Sequence, residues 1–280
     1  MRDLRPYFLG SVGAYGDPTH WACEGNDCRA DQLKVQPHPQ VGVENVRTLT
    51  KTHDFLGLIP MDDAYRAVVF RPDDDPHVPF EACMVAFRGC KQWPPSLGEL
   101  ETGMNMALES SGVDSLGNGP AAHTGIMSVF KQFEHDLVDE LKSMGCKKVV
   151  TTGHSMGGCL ATVAAWHLKN DHHFDVLRNI SFQSPRCVNT VLAQLMDAPQ
   201  TGLPSTRVSL GADMVSHLLP RFMDYAHPGH EIHLNIDDRV GTICDAEIEQ
   251  ALGQCSSEYS NNLADLNLKD HFALKLEHFQ

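Results

Sequence analysis

Val149-Val150-Thr151-Thr152-Gly153-His154-Ser155-Met156-Gly157-Gly158 is the stretch on which the reading of this sequence turns. Its first four residues are β-branched, as in a buried strand. Residues 156–169 are rich in Ala, Gly and Leu, as in a helix packed tightly on a sheet. Between them stands Gly-x-Ser-x-Gly. As a bare pattern it arises by chance in turns; with a strand before and a helix after, it is the sharp turn that lifts a serine above the end of a sheet. That turn strains the serine's backbone and brings the chain so close to itself that Cβ atoms two residues to either side would collide, so Gly153 and Gly157 are required. The helix start then offers backbone N–H groups and the positive end of its dipole to negative charge developing beside Ser155. His154 points away from the nucleophile on such a turn and reads as a packed supporting residue.

Outward from this stretch, strands and helices alternate. Ile126, Val129, Phe130, Phe133, Leu137, Leu141 and Met144 recur at three- and four-residue spacing and predict an amphipathic helix. Thr124 can cap its start and Gly145 can end it. Segments 67–70 and 82–87 read as buried strands separated by the turn Pro72-Asp73-Asp74-Asp75-Pro76; 147–152, 180–183 and 208–210 read as further strands, with a helix over 188–196. The alternation predicts an α/β fold with a largely parallel central sheet and helices on both faces. Residues 1–60 read as loops with one short helix over 43–56. Residues 91–122 form a long excursion in which Leu97, Leu100, Met104 and Leu108 fall at helical spacing, a candidate lid. The expected organisation is one domain over 1–280.

The 280 residues are 42% apolar and 21% charged, the composition of a globular protein able to bury a core without metal or disulfide. A net charge of −14 argues against nucleic acid as a partner, because phosphate binding needs a basic face. No apolar run is long enough to span a bilayer. Met1-Arg2-Asp3-Leu4-Arg5-Pro6 has no signal-type apolar region. Of nine cysteines, Cys83 and Cys159 lie in apolar segments and read as buried thiols. Cys23, Cys28, Cys244 and Cys255 sit in loop-like sequence and could form disulfides.

The motifs together resemble the class 3 lipase family over about residues 14–272. Met84-Val85-Ala86-Phe87-Arg88-Gly89 resembles the strand and turn leading to that family's oxyanion loop. His123-Thr124-Gly125 resembles the start of its long helix, and Thr152-Gly153-His154-Ser155-Met156-Gly157-Gly158 its elbow. Ser184-Pro185-Arg186 resembles a strand end, although Gln183 stands where the family prefers Gly. Asp213-Met214-Val215-Ser216-His217-Leu218-Leu219-Pro220, His227-Pro228-Gly229-His230-Glu231 and Asp270-His271 follow in the family's order. Cys90 departs from the usual Thr or Ser after Arg88-Gly89, and Phe272-Ala273-Leu274 replaces an aromatic-rich stretch. The resemblance implies an α/β-hydrolase fold and a carboxylic-ester hydrolase of the triacylglycerol lipase or esterase kind. Phospholipase A1, feruloyl esterase and a catalytically silent binding module are the alternatives.

In that fold the triad runs Ser, then Asp or Glu, then His. Asp213 follows the strand 208–210 through Gly211-Ala212, at the strand end where such a fold gathers its site. Asp197 ends a helix, and Asp224, Asp237 and Asp238 read as solvated. His271 has its place after the last predicted strand and the resemblance in its favour; His217 lies too close to Asp213. The cluster His227, His230, Glu231 and His233 is not read as a metal site, since His230 and His233 would point to opposite faces of a strand. The reading is therefore Ser155, Asp213 and His271, with Cys90 and Met156 for the oxyanion hole and no metal or organic cofactor. The implied partner is a lipid ester at an oil–water interface, and the resemblance favours secretion, with the signal outside this sequence, over the cytoplasm.

Overall fold

A computed structural model describes residues 4–15, 46–55, 59–72, 78, 81–90, 119–201, 203–236, 241–246, 255–256, 266–274 and 276–279. Helix α1 (Arg5–Gly13) comes first, then strands β1 (Val46–Phe55), β2 (Ile59–Phe70) and β3 (Ala82–Phe87). The long helix α2 (Thr124–Ser143) leads to β4 (Lys148–His154), α3 (Met156–Asn170) and β5 (Asp175–Phe182). After β6 (Val188–Asn189) and α4 (Thr190–Asp197) come β7 (Ser205–Leu210), β8 (Tyr225–Ala226), β9 (His230–Leu234) and β10 (Gly241–Ala246). Eight strands make one sheet in the order β1-β2-β3-β4-β5-β7-β9-β10. The run from β3 to β9 is parallel, and antiparallel pairs close both edges.

Alternation along the strands divides the core in two. Cys83, Val85, Phe87 and Val149 face α2, α3 and α4; Met84, Ala86, Val150, Ile180 and Phe182 face α1 and the C-terminal turn with Phe279. A strand buried on both faces reads as a continuous apolar run, which is why β3 is visible in the sequence, while β4 shows through its four β-branched residues, Val149 to Thr152. The sheet with helices on both faces is as expected.

Local expectations need correction at four points. Residues 46–55 form an edge strand, not part of a helix over 43–56: on the face where Leu49 packs against the core, Arg47 and Lys51 pair with Glu140 and Asp136 of α2. α1 falls where the sequence predicts loop. The cap of α2 is His123, whose Nδ1 accepts N–H bonds from Gly125 and Ile126 at 3.1 and 3.4 Å, rather than Thr124. Cys83 is no free thiol but is bonded to Cys146, just beyond α2; Cys244 pairs with Cys255. The end of α2 is as read: Gly145 has φ +67°, its N–H bonds the Lys142 carbonyl, and the Cys146 N–H reaches back to Leu141. Residues 73–76 of the expected turn, residues 91–118 of the candidate lid, and Cys23 and Cys28 lie outside the described residues.

Candidate active site

Ser155 sits between β4 and α3 with φ 59° and ψ −132°, a strained conformation for a side chain with a Cβ. Its N–H donates to the Phe182 carbonyl at 2.9 Å, which anchors the turn to β5. A Cβ at Gly153 would run into the Gly157 carbonyl, and one at Gly157 into the Phe87 carbonyl at the end of β3. Both glycines therefore let neighbouring backbone close on the turn, as the sequence requires.

Three buried side chains meet here. His271 Nε2 lies 2.9 Å from Ser155 Oγ, and His271 Nδ1 lies 3.1 and 3.0 Å from the two Asp213 oxygens. Asp213, His271 and Ser155 are 1%, 3% and 7% exposed, so these bonds act with little competition from water. Asp213 Oδ1 also accepts the Val215 N–H and Oδ2 the Ser216 hydroxyl, each at 2.9 Å. With those lone pairs occupied, the carboxylate faces Nδ1 as an acceptor. Nδ1 then carries the proton, and the Nε2 lone pair is left for the serine hydroxyl.

The loop of Asp213 and that of His271 are tied together. Asn267 donates its N–H to Ala212 and accepts that of Met214. Asp270 Oδ2 accepts the Ala212 N–H at 2.7 Å and the Asn267 side-chain amide at 3.0 Å. Gln183, with φ 48°, donates its side-chain amide to the Asp270 carbonyl at 2.6 Å. That left-handed backbone is one that glycine adopts at least cost, and Gln183 holds it here. His227 Nε2 donates to the Ser216 carbonyl at 3.1 Å and steadies the loop that holds Asp213.

Met156 is the first residue of α3, where backbone N–H groups have no partner within the helix. The loop after β3 passes close by: a Cβ on Gly89 would stand 2.9 Å from the Ser155 Cβ, and Cys90 follows, partly exposed and packed on the core. The other candidates lie elsewhere. Asp197 accepts the Gly229 N–H, the His217 carbonyl accepts Arg186, and His233 bonds Ser209. Glu231 is fully buried against Arg207 at 2.9 Å. Burial raises its pKa, but the Arg207 charge and the Ser209 hydroxyl outweigh it and bring it to about 2. Asn267 and Tyr15 carry no motif of their own; Ser216 and Asp270 stand inside motifs that give them no role of their own.

The chain is similar to known proteins in sequence and in fold. Residues 84–223 match the family model described as lipase (class 3). The chain is 30% identical over 138 residues to a lipase of Rhizopus niveus, covering 47% of this chain and 35% of that protein. It is 28% identical over 121 residues to a secreted mono- and diacylglycerol lipase of Malassezia restricta, covering 42% and 40%. The matched chain thus spans well under half the length of these relatives. A crystal structure of a lipase from Rhizopus microsporus var. chinensis superposes with a TM-score of 0.65 at 24% identity, over 98% of this chain and 88% of that one.

Proposed function

The chain belongs to the class 3 lipase family, and from that premise we propose that it is a serine-dependent carboxylic-ester hydrolase acting on lipid esters. The observation that carries this reading is the buried bond line from Asp213 through His271 to Ser155 Oγ, ending at a strained serine on a helix start. Ser155 Oγ attacks the ester carbonyl carbon while His271 Nε2 takes its proton. Asp213 holds the imidazole in the productive tautomer and stabilises the imidazolium. The carbonyl electrons collect on oxygen, where the backbone N–H groups of Met156 and Cys90 act as donors. His271 returns the proton to the departing alkoxide, so an alcohol leaves and an acyl-serine remains. Water, deprotonated by His271, then attacks the acyl carbon, and the carboxylic acid is released with Ser155 restored.

An uncharged lipid phase suits the surface beside this site. Met214, Leu218 and Phe222, in the turns that follow Asp213, are 38%, 46% and 88% exposed and present apolar side chains to solvent. A net charge of −14 disfavours an anionic surface. The test is a chain-length series of p-nitrophenyl esters run beside emulsified triolein and vesicles of phosphatidylcholine with and without anionic lipid. The expected result is hydrolysis that favours uncharged lipid. Binding of esters without turnover would instead identify a silent module.

A further inference from the structure

Resting on the activity proposed above, we infer that His154 and Tyr15 are positioning residues that hold the His271 backbone, and with it the catalytic imidazole, in register with the elbow. His154 is 3% exposed, and both of its ring nitrogens are engaged. Nε2 lies 3.1 Å from the His271 carbonyl oxygen, and Nδ1 lies 2.9 Å from the Tyr15 hydroxyl. A carbonyl only accepts, so Nε2 carries the proton; Nδ1 is then an acceptor, and the Tyr15 hydroxyl must donate to it. Tyr15 therefore fixes the tautomer of His154, and His154 in turn fixes the carbonyl of His271. The polarity of the line runs one way, from Tyr15 to His271.

Two further facts give this line a role beyond filling space. A Cβ at Gly89 would collide with the Tyr15 hydroxyl and the His154 carbonyl, so the loop carrying Cys90 is moulded on the same pair. The His154 and His271 rings lie 4.8 Å apart at 33°. Burial, and then repulsion from His271, lower the pKa of His154 to about 3. It stays neutral while His271 shuttles a proton and adds no opposing charge to the imidazolium. The residue next to the nucleophile in sequence thus serves the base, across 117 residues of chain.

Steady-state kinetics on soluble p-nitrophenyl butyrate test this, alongside the rate of Ser155 labelling by a fluorophosphonate and thermal melting of each variant. Tyr15→Phe removes one oxygen and keeps the ring; it should lower kcat about tenfold with KM within about twofold, because small misplacements of a reacting group act on the transition state. His154→Leu should lower kcat by about a hundredfold. His154→Gln carries a donor amide and an acceptor oxygen in one side chain, so it should recover most of that loss, as no purely space-filling role would predict. Adding Tyr15→Phe to His154→Leu should cost nothing more, since Tyr15 acts through His154. Wild-type kcat in Tyr15→Phe, or equal activity of the Leu and Gln variants, would overturn the inference while leaving the proposed activity intact. If the wild-type chain neither hydrolyses esters nor takes the label, the activity itself fails and this inference with it.

Discussion

At the scale of single residues, Asp213 works through the order of its bonds. Its two oxygens hold Val215 and Ser216 and leave a defined acceptor for His271 Nδ1. Asp213→Asn keeps the shape but offers a donor amide that favours the wrong imidazole tautomer; kcat should fall on the order of ten-thousand-fold with the fold intact. Ser216→Ala removes one supporting bond worth about 1 kcal/mol, so a loss of about fivefold is expected, read by kcat on the same ester. A Ser216→Ala loss as large as that of Asp213→Asn would mean that the hydroxyl does more than orient the acid. Ser155 and Asp213 are legible in the sequence because each stands at a strand end marked by glycine. His271 needed chain order and the family resemblance. The roles of Tyr15 and Ser216 are not legible: each contributes one hydroxyl, and the Tyr15 bond joins residues 139 apart, a proximity that only the folded sheet creates.

Among the elements, legibility follows burial symmetry. β3 and β4 are buried on both faces, β3 as an apolar run and β4 as a β-branched one, and α2 has one clear apolar stripe, so all three are readable. α1 is not, because Tyr7, Phe8, Gly10, Ser11, Val12 and Gly13 are all buried and no polar face sets a period. β1 misleads because Leu49 on its inner face is flanked by Arg47 and Lys51, matched by the acids of α2. The Cys83–Cys146 bond ties the start of β3 to the end of α2 across 63 residues. Closing a loop of that length restricts the unfolded chain by about 4 kcal/mol at most. Replacing both cysteines by Ala should lower stability by about 2–4 kcal/mol in urea unfolding. Unchanged stability in the double variant would show that packing of Val85 and Phe87 against α2 suffices without the bond.

The molecule as a whole should be acid-sensitive in two windows, and the signs differ from those of a surface histidine. His154 has its folded pKa lowered from 6.5 to about 3, so between these values the unfolded chain binds the extra proton. Its contribution is complete above about pH 6.5 and is lost as pH falls towards 3, on the order of 4 kcal/mol. Glu231, lowered from 4.5 to about 2, contributes above the first value and loses its contribution as pH falls through the second. Urea unfolding at pH 7, 5 and 3.5 should therefore show falling stability, with the decline between 7 and 5 reduced in His154→Gln. An equal decline in that variant would place the sensitive group elsewhere. The sheet that buries both groups also brings Ser155, Asp213 and His271 to one end of its parallel strands, where Ser155 is the proposed nucleophile. Mass spectrometry of the intact and digested protein after reaction with a fluorophosphonate tests that role most directly. One adduct per chain, on Ser155 and lost in His271→Ala, is predicted. An adduct on another residue, or labelling of Ser155 undiminished by His271→Ala, would contradict it.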